Sequence, residues 1–285
     1  MDGEDQRDRA ERVEMAAWRD LFGAAPARVR TELGLGFTAT CGALALRAPG
    51  VDSLLFNRVL GLGRRGPVLP PLFDELMEGY ARAGIRRVFV HVPADPEGPP
   101  QLELRRSLLA AGLLRFHRSW VKLSRGGGRV SCLDREPSPR APLARPAGPS
   151  DAATVAAIIA DGLAIPPPGR RVLEAAVVRA GWHAFLAELD GRPISAGLMF
   201  ERDGVAYLAG GSTLPEYRRR GGQMAVLRAR LERARALGCG QVTSETGEEV
   251  RGEPNSSFDN MVRLGFRPIG VWDNYARPAT RWASA

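Results

Sequence analysis

The chain reads as an α/β protein on a mixed sheet, and three observations carry that reading. Residues 205–212 are strand-like, residues 213–224 hold the run Arg218-Arg219-Arg220-Gly221-Gly222, and residues 224–237 have helical periodicity. Two Asp-Gly pairs, Asp190-Gly191 and Asp203-Gly204, separate β-rich runs, as expected of tight antiparallel hairpins whose central residues take positive φ. The segment before the Gly- and Pro-rich stretch 126–149 also repeats the order found after it: strand, Gly-rich segment, helix, strand, helix, strand.

In chain order, the densely charged residues 1–23 read as a solvated helix, with Val13, Ala16, Ala17 and Phe22 available to dock on the body. Residues 37–46 and 54–60 read as strands, 69–83 as a helix ending at Gly84, 85–92 as a strand, 101–111 as a helix and 117–123 as a strand. After the break, Leu143 opens a strand that leads into a helix capped by Ser150 or Asp151. A second helical run occupies residues 170–180, beyond Pro166-Pro167-Pro168-Gly169. Strands follow at 182–189, 193–200 and 205–212. In the long helix, Met224, Leu227, Leu231 and Ala234 form an apolar stripe, with Arg228 and Glu232 toward water. A strand at 241–246, a helix after Pro254-Asn255 ending at Leu264, and a final strand near 272–276 complete the chain.

The strand, Arg/Gly turn and helix together make an anion site. The first N–H groups of a helix lack internal partners, and its dipole places partial positive charge there. Gly221 and Gly222 admit close backbone approach, and three arginines supply donors suited to phosphate oxygens. A Walker loop needs Gly-Lys-Ser/Thr, but the single lysine is Lys122; a dinucleotide fingerprint needs its glycines directly after the strand, where an Arg run stands here.

The stretch resembles the pyrophosphate loop of the GNAT superfamily of acyl-CoA-dependent N-acyltransferases, Arg/Gln-x-x-Gly-x-Gly/Ala, with Arg218 first, Gly221 as the fixed glycine, and Gln223 where the pattern has Gly or Ala. The resemblance covers roughly residues 142–278 and implies the order β-α-α-β-β-β-α-β-α-β-β. With the parallel order of the first half, it implies two GNAT-like domains: a charged N-terminal helix at 1–30, a degenerate GNAT-like domain at 31–125, a linker at 126–141, and a GNAT N-acetyltransferase domain at 142–285.

Carried onto this chain, the resemblance implies that Arg218, Arg219, Arg220, Gly221, Gly222 and Gln223 hold the CoA pyrophosphate. Gly211, Ser212, Thr213 and Leu214, on the strand that splays from its neighbour, would meet the pantetheine arm. Asn255 reads either as a helix N-cap or as a contact to that arm, with Phe258 beside it. The Tyr that many members place five residues before the Phe of a Gly-Phe pair is Met261 here, leaving Tyr275 and Tyr207 as substitute acids. Glu245 is the candidate base for the amine, acting through water, or else a solvated strand-end residue. The first half's counterpart of the loop, residues 61–68, is altered by Pro67 and a helix start delayed by Pro70-Pro71, so one CoA per chain is expected, with the first half shaping the cleft.

Composition narrows the setting. The 285 residues are long enough for two domains, no stretch is apolar over about 18 residues, and the charged start has no signal-peptide core. Cys41, Cys132 and Cys239 are scattered and odd in number, which fits free thiols in a reducing cytoplasm. The net charge of +8 comes with 39 arginines and one lysine, the skew of a GC-rich bacterial genome, so no nucleic-acid partner is expected. His91, His117 and His183 have neither metal-ligand nor triad spacing. The expected function is acetyl transfer from acetyl-CoA, without a metal, to a primary amine of a small molecule or peptide, by a cytoplasmic monomer or homodimer. The rival readings are a CoA-binding protein without turnover and a nucleic-acid binder.

Overall fold

The structure is a computed structural model that describes residues 3–64, 68, 70–94, 99–128, 141–250 and 255–277. Cys132, Pro67, Pro254 and most of the expected linker lie outside these residues.

The first half runs α1 (Gly3–Ala24), α2 (Ala27–Leu33), β1 (Gly36–Thr40), β2 (Ala43–Arg47), β3 (Arg58–Leu60), α3 (Pro70–Arg82), β4 (Phe89–Pro93), α4 (Pro99–Ala110), β5 (Leu114–Arg115) and β6 (Trp120–Gly126). The second runs β7 (Leu143–Ala147), α5 (Ala152–Gly162), α6 (Pro167–Val177), β8 (Trp182–Leu189), β9 (Arg192–Arg202), β10 (Val205–Thr213), α7 (Gly222–Ala236), β11 (Gln241–Gly247), α8 (Ser256–Arg263) and β12 (Arg267–Ala276). Each half thus contains two helices, three strands, a helix, a strand, a helix and a closing strand, with α1 and α2 in the place of α5 and α6; β5 in the first half and β7 in the second have no counterpart. Helix α6 starts inside the Pro run because proline at the first helical position sacrifices no hydrogen bond.

All the strands share one sheet, in the order β1-β2-β3-β4-β12-β6-β11-β10-β9-β8-β7, with β5 alongside β12. The closing strands are exchanged: β12 pairs with β4 of the first half, and β6 pairs with β11 of the second. The expected order ended in two strands after the last helix. One forms, and the place beside β11 is filled by β6 from the first half. Among the described residues two neighbouring pairs are parallel, β3 with β4 and β10 with β11, one in each half.

Two other expectations differ locally. Residues 37–46 form a hairpin, not one strand, because Cys41 and Gly42 take φ values of 45° and 83° at a two-residue turn. Of residues 54–60 only the last three are strand, since the Asn57 side chain closes a loop by donating to the carbonyls of Ala48, Val51 and Ser53.

Helix α1 docks through the expected residues and buries more than they imply, with Arg12 and Arg19 left on its exposed face. Ala10, Val13, Ala17, Leu21 and Phe22 are buried, and Ala16 is half-buried. Glu11 and Glu14 enter the interior with them. Lys122 Nζ on β6 donates to Glu14 Oε2 at 2.6 Å and lies 3.5 Å from Glu11 Oε1. Arg58 on β3, fully buried, bridges Glu14 Oε1 (3.4 Å) and Glu245 Oε1 on β11 (3.2 Å). Trp272 Nε1 on β12 donates to Glu11 Oε1 at 2.8 Å, and the Lys122 ammonium sits 4.4 Å over the Trp272 ring. Burial alone would raise the Glu14 pKa, but Lys122 and Arg58 outweigh it and hold Glu14 below its ordinary value. Burial would lower the Lys122 pKa, and Glu14, Glu11 and Glu245 outweigh it in the other direction.

Removing one partner of a buried ion cluster leaves uncompensated charge, which typically costs about 3–5 kcal/mol. Lys122→Met keeps most of the volume and removes the ammonium from between Glu11 and Glu14, leaving Arg58 as the buried cation of the cluster. Urea unfolding should show a loss of that size, while a loss below about 1 kcal/mol, the range of an exposed pair, would remove the cluster as the joint between the halves.

Candidate active site

Strands β10 and β11 pair in parallel from Val205↔Gln241 to Leu208↔Ser244 and then part. Beyond that point β10 stays with β9, through Ser212↔Ala196 and Thr213↔Ser195, after a register irregularity between Ala209 and Ser212. Strand β11 stays with β6, through Glu245↔Lys122 and Gly247↔Trp120. Gly210 takes φ 47° at the bulge, and a Cβ there would lie 3.2 Å from Ile159. A Cβ on Gly211 would lie 3.0 Å from the Arg230 guanidinium, the far end of a side chain, so the positive φ makes Gly210 the stricter requirement where the strands diverge. The split leaves the β11-facing backbone of residues 209–213 without a strand partner, open to an extended ligand carrying amides.

The loop after β10 passes through a 3-10 turn at Pro215–Tyr217 into extended backbone at Arg218. Arg219 and Gly221 take φ values of 63° and 88°, and α7 begins at Gly222 with no side chain capping it. Gly222 is tightly placed, since a Cβ there would meet Ser195 Cβ at 3.0 Å. Arg218, Arg219 and Arg220 are exposed, with Arg220 5.7 Å from the Tyr217 ring centre. Gln223, where the family pattern has a small residue, commits its side chain to α8: Nε2 donates to Ser257 Oγ at 3.0 Å and Oε1 accepts from Asn260 Nδ2 at 2.8 Å.

Asn255 is the N-cap of α8. Its Oδ1 accepts from the N–H groups of Ser257 (3.1 Å) and Phe258 (3.2 Å), and its Nδ2 donates to Thr246 Oγ1 and to the Gly247 carbonyl. Phe258 packs on the core beneath α7 and α8.

A cavity of about 320 Å³ threads the sheet through the split. On the α7–α8 side it is lined by Leu208, Gln223, Arg230, Asn255, Ser257 and Met261, and on the α1 side by Trp18, Leu163, Leu173, Trp182, Tyr207 and Glu245. Gly210-Gly211 and Thr246-Gly247 form its waist. A larger cleft of about 730 Å³ lies by α1 and the β1–β2 turn and touches neither the loop nor the split. The threading cavity is the one that joins the anion site to a titratable group.

That group is Glu245, whose side chain is 10% exposed. Its Oε1 accepts from Arg58 Nη1 and from the Tyr207 hydroxyl, each at 3.2 Å, while Oε2 is buried without a hydrogen-bond partner. Burial and the neighbouring Glu14 push its pKa above the ordinary carboxylate value, and Arg58 and Lys122 only partly oppose them. Burial, then Glu245, raises the Tyr207 pKa, so its phenol stays protonated and donates. Arg230 on α7 is 3% exposed; Nη1 donates to the carbonyls of Leu198 (3.1 Å) and Ala209 (3.3 Å), and burial brings its pKa down to about 10, still a cation at neutral pH.

Of the residues singled out in the sequence, Tyr207, Gly211, Gln223, Glu245, Asn255 and Met261 line this cavity. Ser212, Thr213, Leu214 and residues 218–222 continue from it along β10 and the loop. Tyr275 is not brought to it. It pairs with Val90 on β4 and lies in the core of the first half, 5% exposed, with Tyr80 and Leu113. In the first half, the described start of the loop's counterpart, residues 61–64, lies against α1 and the β1–β2 turn: a Cβ on Gly61 would meet Gly42 O at 2.7 Å and Met15 Sδ at 2.9 Å, and Arg64 pairs with Asp8 and Glu11. Trp18, Arg58, Trp182 and Arg230 were not anticipated, because helix and strand periodicity does not show which distant elements meet. Among the described residues no group of three His, Cys, Asp or Glu side chains is placed to hold a metal ion, and no helix is long and apolar enough to cross a membrane.

Residues 153–249, from the start of α5 past the end of β11, match the family model of the acetyltransferase (GNAT) domain. No curated protein matches the chain. Among solved structures, a GCN5-related N-acetyltransferase from Kribbella flavida is similar over 96% of this chain and 97% of that one, at 17% identity and a TM-score of 0.64. A GCN5-related N-acetyltransferase from Sphaerobacter thermophilus is similar over 88% and 85%, at 15% identity and a TM-score of 0.58. A tandem GNAT protein from the clavulanic acid biosynthesis pathway is similar over 94% and 96%, at 17% identity and a TM-score of 0.57. At these identities the likeness is one of fold. The second half of the chain therefore holds a GNAT acetyltransferase domain, within a fold of two GNAT-like halves shared with a tandem GNAT protein.

Proposed function

We propose that the chain is an acetyl-CoA-dependent N-acetyltransferase acting on a primary amine, with the second half as the active one. The observation that carries this reading is the parting of β10 from β11 between an exposed Arg/Gly helix start and a buried carboxylate. The pyrophosphate of CoA meets the free N–H groups at the start of α7 and Arg218, Arg219 and Arg220. The pantetheine amides lie along the open edge of β10 from Gly211 to Leu214, and the thioester enters at the waist. The amine arrives from the α1 side and gives its ammonium proton to Glu245 Oε2. Its nitrogen attacks the thioester carbonyl, the C–N bond forms as the C–S bond breaks, and a second amine proton goes to the departing sulfur.

Gly221→Glu places a carboxylate in the anion site, and Gly221→Ala shares the strain of the φ 88° backbone without the charge. Calorimetry should show CoA bound at one per chain by the wild type, and at least tenfold weaker, about 1.4 kcal/mol, by the Glu variant than by the Ala variant. Equal affinities, or two equivalent sites per chain, would exclude this loop as the single site.

General-base catalysis typically contributes about 10²–10⁴-fold, so Glu245→Gln should lose turnover in that range with CoA affinity near normal. Glu245 is a base only when ionised, and its pKa is raised. The acid limb of wild-type kcat/KM should therefore fall at a pH above that of an ordinary carboxylate, and should be absent in Glu245→Gln. A mutant with the wild-type limb and turnover within about threefold, far short of that range, would leave Glu245 with a structural role. CoA binding with no transfer to any amine would mark the protein as a binder without turnover.

A further inference from the structure

The two ends of the threading cavity differ in chemistry, and the difference bears on the acceptor. On the α7–α8 side, polar groups crowd the wall: Gln223, Arg230, Asn255 and Ser257. On the α1 side the wall is aromatic and aliphatic. Trp18 and Leu21 come from α1, Leu163 from the end of α5, Leu173 from α6, and Trp182 from β8. Among the polar atoms of this wall, Trp18 Nε1 is buried without a hydrogen-bond partner, while those of Trp182 and Tyr207 are engaged. Trp182 Nε1 donates to Asp20 Oδ1 at 2.9 Å, and the Tyr207 hydroxyl donates to Glu245. The Trp18 face carries the Arg58 guanidinium at 4.2 Å, and Arg118 stands beside Gly247 at the waist. What remains is apolar surface and two buried polar atoms without partners, Trp18 Nε1 and Glu245 Oε2, the latter on a side chain that is 10% exposed.

We propose that this half of the cavity selects a hydrophobic primary amine, such as an arylalkyl or short alkyl amine, over amino sugars and peptide amines. The proposal rests on the acetyltransferase reading and deepens it. The apolar body packs among Trp18, Leu163, Leu173 and Trp182, and the ammonium points at Glu245. A polyhydroxylated amine entering the same space would bury hydroxyls without partners, each costing on the order of tenfold in affinity. The volume of about 320 Å³ is shared with the thioester arm, which limits the acceptor to about one ring or a short chain. Helix α1 supplies part of the wall, so the first half contributes to specificity without binding CoA itself.

The test uses the full chain with CoA bound. Calorimetry measures binding of 2-phenylethylamine, hexylamine, glucosamine and a dipeptide amine, and a thiol-release assay with acetyl-CoA gives kcat/KM for the same four. The two hydrophobic amines should bind at least tenfold more tightly and be acetylated with at least tenfold higher kcat/KM. Leu163→Trp, at a half-buried position, narrows the pocket and should lower kcat/KM for 2-phenylethylamine at least tenfold, and for the smaller ethylamine by less, with CoA affinity near normal. Leu55→Trp, from another half-buried part of the wall, serves if the first variant does not fold. Hydrophobic amines that bind without being acetylated would refute the transferase reading and keep the pocket assignment. Transfer restricted to glucosamine or the dipeptide would refute the pocket assignment and keep the transferase. Unchanged 2-phenylethylamine kinetics in folded variants would place the acceptor elsewhere.

Discussion

The single lysine of this chain holds its ammonium at 2.6 Å from Glu14, on a strand that the first half lends to the second. Around that contact, Arg58, Glu245, Glu11 and Trp272 join α1, β3, β11 and β12, so the cluster ties together elements from both halves. The desolvation of these ions is offset only if each finds its partners in good geometry. This demand fixes how α1 lies on the sheet. A compact ammonium suits the position better than a planar guanidinium, since it approaches two carboxylates and the face of Trp272 at once.

The placement of α1 governs the site as well as the core. Glu14 raises the Glu245 pKa through the same cluster, while Trp18 and Leu21, further along the helix, wall the cavity into which Glu245 faces. Strand exchange adds a second link. With β6 beside β11, β11 keeps its ladder past Ser244 while β10 turns away to stay with β9. The split can therefore open without leaving β11 unpaired. Arg230 supports the other side by donating to Leu198 and Ala209 carbonyls where the β10 register slips.

Legibility in the sequence followed the range of the physics involved. The loop at 218–223, the Asp-Gly hairpins and the long helix rest on contacts between near neighbours, and these elements stand where the residues place them. In helix α1 the expected docking residues Val13, Ala17 and Phe22 are buried, but Glu11 and Glu14 interleave with Ala10, Val13 and Ala17 on the buried face, and their charges look solvated until Arg58 and Lys122 are seen. Strand exchange is invisible for a related reason, since the order of elements along the chain is the same whether or not β6 and β12 change places. Arg230 was hidden by residue type, although it lies three residues from Leu227 on the buried face of α7. A signal that could have been used was the lone lysine among 39 arginines.

The most direct measurement is a crystal structure of the full chain with acetyl-CoA. The account predicts the pyrophosphate at the start of α7 beside Gly221 and Gly222. It places the pantetheine along Gly211 to Leu214, and the thioester at the waist between Gly211 and Thr246, with Glu245 beyond it on the α1 side. Acetyl-CoA bound beside Gly61 in the first half, or lying across the second half with its thioester outside the split, would contradict it.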